Sequence, residues 1–254
     1  MRLDKDRIAQ CFLRSIHSYD TAAQVQNKLA GRLMQSLQSM PDSTFTSILE
    51  IGCCTGTLTG KLCSERPVQR LYCNDLVPEF EEVLQKRLAS NCSVQFHPWF
   101  GDIEELPLPS ELSLVVSGAT FQWLSDSHSF LKRLGRELAS GSCLAFSLFG
   151  PGTLKEFSKL TGVELEYVTD ETLTEILEAD FEILHYKKFK DILFFPTVRE
   201  ILVHIRDTGV GGVSEYKWSK QSLQEFEKGY KKTFGTDKGL PVSYSSSCFV
   251  ARRR

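Results

Sequence analysis

Apolar positions along the chain come in two rhythms. From 47 to 150, short apolar runs alternate with amphipathic stretches. "SILEIG" (47–52), "VQRLYCND" (68–75), "SVQFHP" (93–98), "LSLVVSGA" (112–119) and "SCLAFSLFG" (142–150) predict strands. "LTGKLCS" (58–64), "PEFEEVLQKRLAS" (78–90) and "SHSFLKRLGRELAS" (127–140) predict helices. Pro78 sits near the start of one, and Gly141 stops another. Strand–helix alternation with short connections means a mostly parallel sheet with helices on both faces.

The flanks differ. "RIAQCFLRSI" (7–16) and "AAQVQNKLAGRLMQSLQSM" (22–40) predict two helices around "SYD". In the second, Val25, Leu29, Leu33 and Leu37 form a helical stripe, which Pro41, Asp42 and Ser43 end. After Gly152, "TLKEFSKL" (153–160), "DETLTEILEA" (170–179), "PTVREILVHIRDTGVGG" (196–212) and "SLQEFEKGYKKTFG" (222–235) predict helices. "FEILHYKKFKDILFF" (181–195) and "LPVSYSSSCFVARR" (240–253) predict strands, the latter alternating in its first half. One domain over 1–254 is expected, with an N-terminal helical cap (1–41), a ligand-binding core (42–150) and helical lid segments (151–180 and 196–235).

Composition changes this picture little. Hydrophobic residues at 41% and charged residues at 24% suit a soluble globular chain. The eight cysteines (Cys11, Cys53, Cys54, Cys63, Cys73, Cys92, Cys143, Cys248) fall mostly in apolar stretches and form no CxxC pair. They read as reduced thiols, and no metal site is expected. The charged start "MRLDKDRIAQCF" does not read as a signal peptide, and no apolar run is long enough to span a membrane. A cytoplasmic protein is the expectation, with neither nucleic acid nor membrane as partner. Net charge is −2, unevenly spread: residues 1–180 carry −8 and residues 181–254 carry +6. The basic segment is either an assortment of solvated faces or a surface for an acidic partner.

Chemistry concentrates at "LEIGCCTGTLTG" (49–60), a strand, a glycine turn and a helix start. Gly52 and Gly56 let the backbone approach a ligand, and the turn's amides suit a polar or anionic group. Gly52-x-x-x-Gly56-x-x-x-Gly60 is not the GxGxxG spacing of a dinucleotide site, which weakens NAD or FAD. Glu50, just before the first glycine, points to a different ligand. Asp75 ends the second strand, where a carboxylate accepts two ribose hydroxyls in NAD and S-adenosylmethionine (SAM) proteins alike. Asp102, after the third strand, is placed to accept the amine of an adenine. Singly, Asp75 reads equally as a turn cap and Asp102 as a helix cap; three acidic marks after three successive strands favour a ligand.

"LEIGCCTGTLT", "LYCNDLVPEF", "FGDIEELPLP" and "LSLVVSGATFQWLSD" together resemble class I SAM-dependent methyltransferases. The resemblance implies a Rossmann-like, seven-stranded, mostly parallel sheet with an antiparallel last strand. It implies SAM as cofactor, held by Tyr19, Glu50, Gly52, Cys54, Gly56, Asp75, Leu76, Asp102, Ile103 and Gly118. The usual turn reads GCGTG, and here Cys54 replaces a glycine. A negative φ accommodates Cys54; a positive φ costs about 1–2 kcal/mol. "FLRSIHSYDTAAQVQNKLAGRLM", "SGATFQWL", "LFGPGTLKEF", "FFPTVREILVHIRDTGVGG" and "GLPVSYSSSCFVARR" are similar to the malonyl-acyl-carrier-protein O-methyltransferases of biotin synthesis. Gly118 departs from the asparagine usual in "SGATFQWL". The implied reaction methylates the free carboxylate of malonyl on acyl carrier protein. A SAM-dependent methyltransferase acting on a free small carboxylic acid or a quinone precursor is the alternative. A third reading is a scaffold of the same fold.

A carboxylate nucleophile is ionised at pH 7 and needs no general base. Stripped of water, it needs a partner, which an arginine supplies as a bidentate fork. Arg199 in "PTVREIL" is the expected anchor, with His204 near the same helix face. Tyr19 resembles the family tyrosine that closes over the cofactor, and with Arg199 forms the expected catalytic pair. Phe121, Gln122 and Trp123, after the fourth strand, are expected to wall the acceptor and the methyl group. The plainer alternatives are a surface arginine, a structural histidine and core aromatics. Lys187, Lys188, Lys190, Arg206 and Lys217 are candidates for steering an acidic carrier, and a monomer is expected.

Overall fold

In a computed structural model, the structure describes residues 3–38, 45–89, 94–210 and 218–254. Cys92, Lys217, the glycines at 211–212 and the expected boundary at 41–42 lie outside them. The chain opens with α1 (Lys5–Ser15), α2 (Tyr19–Ala22) and α3 (Gln24–Gln38). The core follows as β1 (Ser47–Ile51), α4 (Thr57–Glu65), β2 (Arg70–Asn74), α5 (Phe80–Leu88), β3 (Gln95–Pro98), β4 (Leu114–Gly118), a 3-10 turn at Phe121–Trp123, α6 (Ser127–Glu137) and β5 (Cys143–Phe149). Then come α7 (Lys155–Thr161), α8 (Asp170–Glu178), β6 (Phe181–Phe195), α9 (Val198–Asp207), α10 (Lys220–Phe234) and β7 (Leu240–Arg253).

The strands form one sheet in the order β3-β2-β1-β4-β5-β7-β6. The first five are parallel, and β7 runs antiparallel to both β5 and β6. Strand order reverses between β1 and β4. A doubly wound sheet opens a crevice at such a point, beyond the carboxyl ends of its strands.

Apolar side chains cover both faces. On one, Leu29 and Leu33 of α3, Leu62 of α4, Leu84 of α5, Ile201 of α9 and Tyr230 of α10 pack on alternate residues of the sheet. On the other, Leu134 of α6 and Leu173 and Leu177 of α8 pack against Val115, Phe146 and Phe249. A third cluster, centred on Ile8, Trp123 and Leu165, ties α1 to the body.

Three expectations change. The helix expected from Ala22 begins at Gln24, because Ala23 turns out of helical geometry at ψ 47°, and "SYD" itself opens the short α2. The alternation expected in the first half of β7 gives way to nearly continuous burial, because the strand lies between β5 and β6 with both faces covered. The 151–180 segment, expected as one lid piece, is divided between the two faces of the sheet. Its α8 covers the sheet beside α6 and β6, and only the part around α7 faces the crevice side with α9.

Candidate active site

The glycine turn after β1 is held by main-chain bonds. Gly52 N and Cys53 N both donate to Asn74 O, at 2.8 and 2.9 Å, and Gly56 N donates to Cys53 O at 2.8 Å. Asn74 in turn donates to Trp99 O and Gly101 O, so the ends of β1, β2 and β3 form one network. Gly52 has φ 72°, and a Cβ there would sit 1.9 Å from Thr120 Oγ1 after β4. Only glycine lets these two loops approach so closely.

Cys54 adopts φ 47°, so the costlier of its two conformations is the one found. Its amide donates to Asp75 Oδ2 at 2.9 Å, while Asp75 Oδ1 accepts Val77 N at 3.0 Å. Ala119, at φ 59°, is a second strained residue lining the same cavity. Two left-handed non-glycine residues flanking one cleft mark a backbone over-determined by its surroundings.

The inner cavity, ≈ 70 Å³, lies at the strand-order reversal. Of the residues expected to hold the cofactor, Tyr19, Gly52, Cys54, Asp75, Leu76, Asp102, Ile103 and Gly118 line it, with Trp123. Sequence reasoning missed Lys5, Ile8 and Phe12 of α1, together with Asn74, Ala119 and Thr120. No motif marks them; α1 reaches the cavity only through the tertiary fold. A small recess beside it is lined by Glu50, Tyr19, Cys54, Thr55 and Gly118. Gly56 lines neither cavity and instead opens α4 at φ 83°.

The inner charges are mostly acidic. Glu50 is buried, accepts Thr59 Oγ1 at 2.7 Å, and is pushed up to about 8 by burial. Burial raises Asp75 to about 6 despite the amides it accepts. Both carboxyls sit where a cation, or hydroxyl and amine donors, would favour the ionised form. Asp102 accepts Lys5 Nζ at 2.5 Å and Glu104 N at 3.0 Å. Asp75 thus serves the turn-capping role weighed above, Asp102 caps a turn and not the helix start weighed for it, and both face the cavity. Burial, then Cys54 and the Asp75 carboxylate, raise the Tyr19 phenol well above its ordinary range. The same burial and Asp75 hold the Cys54 thiol protonated.

The N-terminal cap is latched over this cavity. Lys5 bridges Asp102 and Glu104. Asp20 accepts Thr55 Oγ1 of the glycine turn at 2.5 Å and pairs with Arg87 of α5 at 2.5 Å. Ring contacts run from Tyr19 to Phe12 (6.2 Å) and from Phe12 to Trp123 (5.8 Å).

The expected acceptor residues divide. Trp123 faces the inner cavity, but Phe121 is core, stacked on Phe146 at 4.7 Å. Gln122 is turned inward, its amide donating to Ala119 O at 2.5 Å. Arg199 is exposed and lines a separate outer cavity of ≈ 690 Å³. His204 does not share its face. Five residues on is about 140° round a helix, and His204 is buried, 2.6 Å from Tyr244 Oη, where burial lowers its basicity. Of the steering candidates, Arg206 lines the outer cavity and pairs with Asp207. Lys188 pairs with Asp170, Lys187 lies over the Phe189 ring, and Lys190 is exposed, all on the edge strand β6.

No helix among the described residues is long and apolar enough to cross a membrane. Among them no group of three or more His, Cys, Asp or Glu is arranged to hold a metal ion.

Residues 49–146 match the model of a family described as "Methyltransferase domain". The chain is 36% identical to a malonyl-acyl-carrier-protein O-methyltransferase of Chlorobium phaeovibrioides, covering 99% of this chain and 97% of that one. It is 31% identical to the protein of that name from Haemophilus influenzae, covering 98% and 95%. In fold it is similar to a putative methyltransferase from Bacillus halodurans (TM-score 0.62, 16% identity, 87% and 97% covered). It is also similar to the N-methyltransferase NodS from Bradyrhizobium japonicum, solved with S-adenosyl-L-homocysteine (TM-score 0.56, 15% identity, 97% and 98% covered).

Proposed function

The chain belongs to the malonyl-acyl-carrier-protein O-methyltransferase family, and on that premise we propose that it transfers the methyl group of SAM to the free carboxylate of a malonyl unit borne on acyl carrier protein. The product is the malonyl methyl ester that primes the pimeloyl chain of biotin synthesis. The observation that carries this reading is the end-to-end likeness to relatives so named. A small free acid as acceptor has no comparable support.

The residues present fit SAM. Carboxyls line the inner cavity and its recess, which suits a cofactor that carries an ammonium, a ribose and an adenine amine. When bound, the cofactor supplies a methyl group on a positively charged sulfur. Glu50 orients the turn and the amino-acid part, giving up its proton as a cation arrives. Asp75 accepts ribose hydroxyls with the lone pairs its two amide donors leave over, and Asp102 accepts the adenine amine. Leu76 and Ile103 flank the base, Gly118 floors the recess, and Tyr19 closes the cleft from α2.

No side chain needs to take a proton, because the attacking carboxylate is already ionised. Rate enhancement then rests on alignment and on the exclusion of water by Tyr19, Phe12 and Trp123. Arg199 collects the acceptor's carboxylate in the outer cavity. Ile8, Trp123 and Leu165 separate the two cavities, so α1 must yield for the carboxylate to meet the cofactor. Asp20 and Lys5, whose ion pairs fasten the cap, set how readily it yields.

We further propose a monomer working in the cytoplasm, which suits the free thiols found among the described residues. The +6 of residues 181–254 favours an acidic carrier, with docking that weakens as salt rises. The test is methyl transfer to malonyl on its carrier, to malonyl-CoA and to free malonate. Transfer led by the carrier is expected; equal rates on all three remove the carrier from the reading.

A further inference from the structure

The outer cavity is walled by two helices with a shared pattern. From α1 it takes Arg7, Gln10, Cys11 and Arg14; from α9, Arg199, Leu202, Val203 and Arg206, with Ile205 beside them. Each set follows i, i+3, i+4, i+7, which is one face of a helix over two turns. An arginine stands at each end of each stripe, about 10.5 Å apart along its axis. The helices touch near their carboxyl ends, where Ser18 Oγ donates to Asp207 O at 3.4 Å and Gly209 packs against Phe12. Between the stripes lies an apolar floor that includes Phe157, Leu165, Tyr167 and Trp218. Among the described residues that line it, Glu164 is the only acid.

Four guanidiniums are more than one carboxylate needs. The cavity's volume, ≈ 690 Å³, is that of a cleft for a drug-sized ligand rather than for a three-carbon diacid. An elongated ligand with an apolar middle and anionic ends matches the stripes. Planar guanidinium forks suit phosphate as well as carboxylate.

We propose that the outer cavity is the berth of the phosphate-bearing arm on which the malonyl unit travels. This rests on the carboxyl-methyltransferase reading above. Arg14 and Arg206 meet the phosphodiester end of a phosphopantetheine arm. The apolar floor meets its geminal-dimethyl segment, and Arg199 keeps the carboxylate end. Carrier protein and coenzyme A share this arm, so the cavity recognises what they have in common.

The test compares malonyl-pantetheine, malonyl-phosphopantetheine, malonyl-CoA and malonyl-carrier as acceptors for the full chain and for Arg14→Gln and Arg206→Gln. With the unaltered protein, adding the phosphate to malonyl-pantetheine lowers KM about tenfold at similar kcat, the effect of a charge-assisted contact. Each substitution raises KM for the phosphorylated arms about tenfold, moves that for malonyl-pantetheine less than twofold, and leaves SAM affinity unchanged. Calorimetry with phosphopantetheine and pantetheine alone reads the same difference without turnover. A KM and affinity indifferent to the phosphate, or substitutions that act equally on both arms, overturn the berth while the reaction stands. No transfer to any of the malonyl thioesters overturns the reaction and the berth with it. Equal KM for malonyl-phosphopantetheine and malonyl-CoA supports recognition of the shared arm; a KM reached only with the carrier assigns affinity to the protein surface and overturns the berth.

Discussion

The two cavities are opposite in charge and in construction. The inner one is lined by Asp75 and Asp102, adjoins buried Glu50, and is framed by main-chain bonds at the ends of parallel strands. The outer one carries four arginines on the surfaces of helices. The contrast suits the division of labour proposed above. A sulfonium donor calls for acidic walls at fixed positions, and an anionic acceptor on a long arm calls for basic side chains that adapt. Helix α1 belongs to both, with Ile8 and Phe12 inward and Arg7 and Arg14 outward.

The sharpest way to break this division is to spoil the inner frame alone. Gly52→Ala places a methyl group against Thr120 and forces an unfavourable φ. Calorimetry should show SAM binding weakened more than a hundredfold, and thermal unfolding a loss of about 2–4 kcal/mol. Thr120→Ala in the same chain recovers the part due to the clash. The complementary break is Arg199→Gln, which removes an anion partner from the outer cavity only. Its kcat/KM for the malonyl carrier falls about 30- to 100-fold, with SAM affinity within twofold.

Asp75 sharpens the contrast through pH. Its carboxyl, raised by burial to about 6, ionises as pH rises through that value. A cationic ligand favours the ionised form, so SAM affinity rises about tenfold between pH 5 and 7. Asp75→Asn weakens binding and flattens this profile. Ligand-free stability moves the other way. Asp75 and Glu50 hold protons more tightly folded than unfolded, so their contribution is full below pH 4 and fades as pH rises through 6 and 8. Thermal midpoints with and without SAM should diverge over that range. The smallest effect is Cys54→Gly, which relieves φ 47° and stabilises the fold by about 1 kcal/mol after the entropy cost of glycine.

The inner site was legible because its parts recur at strand ends: Gly52 and Asp75 directly follow β1 and β2, and Asp102 lies four residues after β3. The seven strands and their mostly parallel order were legible for the same reason. Cys54's φ was not, since it depends on where Asp75 draws its amide. The outer cavity was not either, because it assembles residues from 7–14, 153–167, 199–210 and 218. Its one sequence trace is the repeated spacing of Arg7 to Arg14 and Arg199 to Arg206. His204 misled because five residues was read as one face, and Phe121 because an aromatic near a strand end serves core and cavity alike.

The most direct test is transfer of labelled methyl from SAM to malonyl-carrier set beside acetyl-carrier, which lacks only the carboxylate. The account predicts base-labile label on the malonyl carrier and none on the acetyl carrier. Label on neither, or equally on both, contradicts it.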